Sequence, residues 1–237
     1  MKTTILIPVY NEGENIRSAL AAIQRDVRGE YEIAVVYDSE EDTTLPALTA
    51  AESELHLAVR RIRNRYGRGV LNAIRTGLEA AESEYVIVTM ADLSDPPEVM
   101  NAMIAAADAE HADIVCGSRY MRGGSQTGGP LLKGLMSRTA GLTLHRFAGV
   151  PTHDPTNSFK LYRKSFLDQM TIESTGGFEL GIELVVKAWL NGFRVTEVPT
   201  AWRDRANGQS HFRLWKWLPH YLRWYWTAFR GKMRRKR

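Results

Sequence analysis

The stretch Tyr85-Val-Ile-Val-Thr-Met-Ala-Asp-Leu-Ser-Asp-Pro-Pro97 constrains the chain more than any other. Residues Tyr85 to Thr89 are mostly β-branched or aromatic and predict a buried strand, which Pro96 and Pro97 then stop because proline lacks a backbone donor. Two carboxylates, Asp92 and Asp95, are thus delivered to a strand's C-terminal tip. In open α/β sheets ligands bind at that edge, and a carboxylate there can hold a divalent cation against a phosphate. On its own, an ordinary acidic turn fits the same residues.

The rest of the chain alternates strands and helices, the pattern of a doubly wound, mostly parallel sheet. The expected strands cover residues 3–9, 31–37, 57–62, 85–89, 113–118 and 193–199. Asn11 and Glu14 form a capping-box pair ahead of a helix whose buried face is Ile16, Leu20 and Ile23. Further helices are expected over 44–51, 70–81, 97–109, 130–147 and 178–190, the last with Glu183 on an otherwise apolar surface. Strand two ends on a second acidic tip, Asp38-Ser-Glu-Glu-Asp-Thr-Thr44. The exits of strands three and five, Arg63-Asn-Arg-Tyr-Gly-Arg-Gly69 and Gly117-Ser-Arg-Tyr-Met-Arg-Gly-Gly124, combine cations with glycine and suit an anion. Residues 123–129 read as a flexible linker. Asp154 precedes an apolar strand; it could orient an acceptor, act as a base, or form an Asx turn before Pro155.

A chain of 237 residues with 44% hydrophobic content can bury one sizeable α/β core. The single cysteine, Cys116, excludes an internal disulfide framework and suits a reducing compartment, and the opening residues read as a strand rather than a signal segment. The net charge of +4 hides an asymmetry: all 27 acids precede residue 205, whereas ten of the 31 Lys and Arg follow Asp204. The first 204 residues therefore carry −6 and the tail +10.

Seven short motifs occur in the order and approximate spacing of family-2 glycosyltransferases. They are Pro8-Val-Tyr-Asn-Glu12, Asp38 with Asp42-Thr-Thr44, the Gly67 to Gly69 turn, Ala91-Asp92-Leu93 with Pro96-Pro97, Gly117-Ser-Arg119, Asp154-Pro-Thr-Asn-Ser-Phe159 and Arg205-x-x-Gly-x-Ser210. The chain resembles most the branch of dolichyl- and polyprenyl-phosphate mannose synthases. The resemblance covers residues 1–211 and implies a GT-A fold, followed by a basic-aromatic helical tail over 212–237. It implies transfer of a hexose, by default mannose from GDP-mannose, with inversion to a lipid phosphate. By matching positions, Pro8, Tyr10 and Glu12 would contact nucleobase and ribose, with Val36 and Asp38 completing that pocket. Ala91, Asp92 and Ser94 would lie at the diphosphate, and Arg119 and Arg205 near the phosphates or sugar. Mg²⁺ or Mn²⁺ is the implied cofactor, with Asp92, Ser94 and Asp95 as candidate ligands.

Two positions depart from the family pattern. Met90 stands where a second Asp is usual, and a thioether cannot replace a hard oxygen ligand. His211 replaces a Lys, which would make a phosphate contact pH-sensitive. An ionised lipid phosphate needs no strong base, so Arg119, Arg205 and the cation would stabilise the departing diphosphate; Asp154 would be the base for a hydroxyl acceptor. The tail interleaves Trp215, Trp217, Tyr221, Trp224, Tyr225 and Trp226 with Arg213, Lys216 and Arg223. It suits an amphipathic helix on an anionic membrane, and hence a cytoplasmic enzyme peripheral to that face. Packing on the protein's own core is the alternative, while the acidic remainder argues against nucleic acid. Two other functions remain open: a UDP-hexose transferase acting on a sugar hydroxyl in surface polysaccharide synthesis, and a nucleotide-sugar-binding module without turnover.

Overall fold

A computed structural model describes residues 2–204 and 214–235. Its centre is a seven-stranded sheet in the order β3-β2-β1-β4-β7-β5-β8. The strands are β1 (Thr3–Pro8), β2 (Tyr31–Tyr37), β3 (Val59–Arg63), β4 (Tyr85–Val88), β5 (Ile114–Ser118), β7 (Lys160–Arg163) and β8 (Val195–Pro199). Strands β1 to β4 run parallel, β5 and β8 pair parallel, and β7 lies antiparallel between β4 and β5. Every residue of β1 and β4 is buried, which is why these segments read as continuous apolar runs rather than alternating ones.

Helices cover both faces: α1 (Ile16–Asp26), α2 (Thr44–Leu55), α3 (Val70–Ala80), α4 (Val99–Glu110), α5 (Leu131–Thr143), the short α6 (Lys164–Leu167), α7 (Leu180–Leu190) and α8 (Leu214–Arg235). The two-residue side-chain period divides the strands between two cores. Leu6, Val36, Val86 and Val88 pack with Ile74 and Leu78 of α3 and with α7. Ile5, Ile7, Ile33, Val35 and Ile87 pack with Leu20 of α1 and Met100 and Met103 of α4. The observed architecture is the α/β arrangement expected of the sequence.

Two local expectations are corrected. Helix α1 starts at Ile16, because Asn11 sits at φ 55° in the left-handed region and turns its side chain to the β2–α2 loop instead of capping. Its Oδ1 accepts the Thr43 N–H at 3.2 Å, while its own N–H donates to Asp42 Oδ1 at 3.0 Å. The supposed linker over 123–129 contains strand β6 (Ser125–Thr127), paired in parallel with β9 (Ala201–Arg203). This pairing places both chain segments beside the C-terminal edge of β5 and β8.

In α8, one face joins the core: Trp224 and Ala228 are buried, and the Trp224 indole N–H reaches Ser174 Oγ at 3.3 Å. Burying an indole of about 200 Å² contributes at most roughly 5 kcal/mol, enough to hold the helix on α7. The opposite face exposes Leu222 and Trp226. Packing on the protein's own core, one of the two readings of the tail, is what this face of α8 does.

Candidate active site

Because β1, β2, β4 and β5 are parallel within one sheet, the segments leaving Pro8, Tyr37, Val88 and Ser118 emerge at one edge. The antiparallel β7 is entered from that same edge, which brings residues 156–158 there as well. A cavity of about 1100 Å³ opens at this edge. Pro8, Tyr10, Glu12, Asp38, Ala91, Asp92, Ser94, Asp95 and Arg119 all line it, so nine of the expected site residues converge. Met90 lines it too, and α5 and α8 form its apolar wall through Leu135, Met136, Leu218 and Tyr221.

Each polar side chain at the rim has a holder. The loop bearing Tyr10 and Glu12 is pinned by Asp42 and Thr44, whose hydroxyl accepts the Glu12 N–H at 2.9 Å. Asp38 accepts from Asn64 Nδ2 at 2.7 Å and from the Gly69 N–H at 3.0 Å. Gly69 can present that N–H because its φ of 125° is accessible to glycine and strained for other residues. Asp92 Oδ1 accepts the Ser94 N–H at 3.0 Å, which fixes the carboxylate at the strand tip.

Arg119 is the most tightly held of these groups. Its Nε and Nη2 contact the two oxygens of Asp154 at 2.6 and 2.9 Å, and Nη2 also reaches Ser137 Oγ and Thr156 Oγ1. Burial by itself would raise the Asp154 carboxyl, but the Arg119 charge and hydrogen bonds outweigh it and hold the group below its ordinary value. Asp154 is fully buried and is absent from the cavity lining. The expectation of Asp154 as base is corrected: a carboxylate with lowered proton affinity, committed to an arginine, orients that arginine.

Asp95 is the opposite case. It lines the cavity at 8% exposure, and burial pushes its carboxyl up to about 6 against the hydrogen bond from Asn157 and the charge of Arg119. Its Oδ1 accepts from Asn157 Nδ2 and Thr200 Oγ1, both at 3.2 Å. Beneath it, the fully buried Lys160 donates to the Asn157 carbonyl, and burial lowers its pKa. Two neighbouring donors thus fix the Asp95 carboxylate through Oδ1 at the cavity lining.

Val36 is also corrected. It is fully buried in the core beneath the sheet edge and does not line the cavity, although its carbonyl holds the Val9 N–H at 2.9 Å. Arg205 and His211 lie outside the described residues. Sequence reading gave no role to Asn64, Ser137, Thr156 and Lys160, although Asn64 lies in the cationic, glycine-bearing exit loop and Thr156 in the Asp154–Phe159 motif.

With this geometry in hand, comparison with known proteins identifies the family. Residues 4–171 match the glycosyl transferase family 2. The chain belongs to that family. A dolichol-phosphate mannosyltransferase of Pyrococcus furiosus is 32% identical over 231 residues, 94% of this chain and 63% of its own length. The chain thus spans less than two thirds of that relative. A polyprenol monophosphomannose synthase of Mycolicibacterium smegmatis is 32% identical over 216 residues, 88% of this chain and 80% of its own. Among solved structures, glucosyl-3-phosphoglycerate synthase of Mycobacterium tuberculosis, in complex with Mn²⁺, UDP-glucose and phosphoglyceric acid, superimposes with a TM-score of 0.71. That match has 16% identity and covers 98% of this chain and 79% of the other.

The structural likeness, at 16% identity, shows the GT-A fold, and that solved relative holds Mn²⁺. The finer expectation, GDP-mannose as donor with a lipid phosphate and an anionic membrane surface as partners, is corrected on the structural comparison. The matching structure holds UDP-glucose and a small acceptor. Among the described residues no helix is long and apolar enough to cross a membrane. No group of three acidic, His or Cys side chains among them could hold a metal alone. The donor set still fits Mg²⁺ or Mn²⁺ shared with a ligand, since such ions keep waters and take phosphate oxygens beside one or two carboxylates. Asp92, fixed at the cavity rim, is the carboxylate placed for that.

Proposed function

We propose that this chain transfers a hexose from a UDP-linked donor to a hydroxyl of a small, anionic acceptor of the phosphoglycerate class. The observation that carries this reading is the convergence of the β1, β2 and β4 tips and Arg119 on one cavity. Tyr10 and Asp38 would hold the nucleoside, Glu12 would line its side of the pocket, and Ala91 and Ser94 would frame the diphosphate. Asp92 would share the cation with the diphosphate oxygens. A bound Mg²⁺ or Mn²⁺ supplies positive charge to the diphosphate as it leaves.

Arg119, locked by Asp154, would face the phosphates or sugar without having to reorganise during reaction. A hydroxyl acceptor must lose its proton as its oxygen attacks the anomeric carbon and the bond to the diphosphate breaks. Asp95 lines the same cavity, held there by Asn157 and Thr200, and burial raises its carboxyl to about 6, so it would take that proton. The expected result is transfer from UDP-glucose with Mn²⁺, abolished in Asp92→Ala and reduced at least a hundredfold in Asp95→Asn, with donor affinity kept in the latter. Absence of any UDP-hexose turnover by the wild type, under conditions where a panel of phosphorylated hydroxy acids is supplied, would overturn this reading.

A further inference from the structure

Asn64 leaves strand β3 at the cavity rim, and all four of its side-chain hydrogen-bonding capacities are used. Its Nδ2 donates to Asp38 Oδ1 and to the Gly67 carbonyl, both at 2.7 Å. Its Oδ1 accepts from the Thr76 hydroxyl at 3.1 Å and from the Tyr66 N–H at 3.2 Å. The backbone N–H of Asn64 in turn holds the Tyr37 carbonyl at 2.9 Å, so the residue ties the tip of β2 to the start of α3. One amide thereby sets both the rotamer of the Asp38 carboxylate and the course of the 64–69 turn that carries Arg68 and Gly69 into the cavity lining.

Asp38 is held from two directions, by Asn64 on Oδ1 and by the Gly69 N–H on Oδ2 at 3.0 Å. Each carboxylate oxygen has a second lone pair, and those remain for a ligand. A carboxylate clamped in this way can accept two hydroxyl donors at fixed spacing, which matches a ribose diol. A loose carboxylate would have to be ordered on binding, at a cost in affinity. The turn does not depend on Asn64 alone for its fold. Tyr66 is stacked by Arg75 at 4.0 Å, its hydroxyl reaches Glu79 at 2.7 Å, and Asn72 Nδ2 holds the Tyr66 carbonyl at 2.8 Å.

We propose that Asn64 is a positioning residue for the donor nucleoside, acting through Asp38, and that it contributes to donor affinity without touching the sugar being transferred. The inference rests on the proposed function, and the test separates the two. UDP affinity is measured by calorimetry with Mn²⁺ for wild type, Asn64→Ala, Asp38→Ala and the double variant, together with melting temperature and the KM for acceptor. Loss of a hydrogen bond to a charged group is expected to weaken UDP about tenfold in Asn64→Ala, roughly 1.4 kcal/mol. The acceptor KM stays unchanged, and the double variant is no weaker than Asp38→Ala alone.

Should Asn64→Ala fail to fold, Asn64→Asp keeps the shape but replaces the two N–H donors with a carboxylate set against Asp38 Oδ1 and the Gly67 carbonyl, and a loss of UDP affinity of at least about tenfold is expected. Wild-type UDP binding with an unchanged affinity in both variants overturns the role of Asn64 and leaves the function standing. Additive losses in the double variant overturn the route through Asp38. No UDP binding by the wild type overturns the function itself.

Discussion

Replacing Asp95 by Asn should make the protein more stable at neutral pH while removing its catalytic capacity. In the folded chain the Asp95 carboxyl is pushed by burial from 3.8 to about 6, so the folded state holds its proton more tightly than the unfolded state does. The stability this brings is fully present below about pH 4 and is lost as pH rises through 6. The interval of about two pH units corresponds to roughly 3 kcal/mol at 1.36 kcal/mol per unit. The substituted amide would carry no such titration, and its oxygen could still accept from Asn157 and Thr200. Denaturant unfolding of wild type and Asp95→Asn at half-unit steps from pH 4 to 7.5 measures the difference. The variant should gain on wild type across the window and finish more stable by up to about 3 kcal/mol. A difference that stays constant with pH, or a variant less stable at pH 7.5, would refute the assignment of a costly buried carboxylate retained for chemistry.

The remaining predictions concern the groups around it. Arg119→Ala should lower stability by about 3–5 kcal/mol because it leaves the fully buried Asp154 charge without its partner, whereas Asp154→Asn should cost less; urea unfolding compares them. Gly141→Ala should displace α5 from the site, since the added Cβ would stand 2.1 Å from the His153 carbonyl; about 1–3 kcal/mol of stability and the shape of the cavity wall should be lost, seen as a fall in Tm and a raised acceptor KM. Met90→Asp should tighten Mn²⁺ in the presence of UDP about tenfold, because it adds a hard oxygen beside Asp92 at the cavity rim; calorimetric titration of the metal reads this directly.

Much of the framework could be read from sequence because it depends on local chemistry. The strands with both faces buried are continuous apolar runs, and the acid tips Asp38 and Asp92 follow them in register, so their shared edge follows from parallel pairing. Long-range contacts were less accessible. Asn11 carries the signature of a helix cap, yet it serves a loop about 30 residues away, and that choice depends on how β1 meets β2. Strand β6, Ser125-Gln-Thr127, has no apolar pattern and exists because β9 lies beside it. The same holds at the site. Whether Asp154 abstracts a proton or holds an arginine depends on a contact spanning 35 residues, and the raised proton affinity of Asp95 comes from burial that no motif encodes.

The claim beneath all of this is that a nucleoside diphosphate and a divalent cation share Asp92 at the rim of one cavity. Calorimetric titration of UDP into wild type and Asp92→Ala, each with and without Mn²⁺, tests it most directly. Mn²⁺ should tighten UDP at least tenfold in the wild type and have no effect in the variant. Equal enhancement by Mn²⁺ in both proteins would contradict the account.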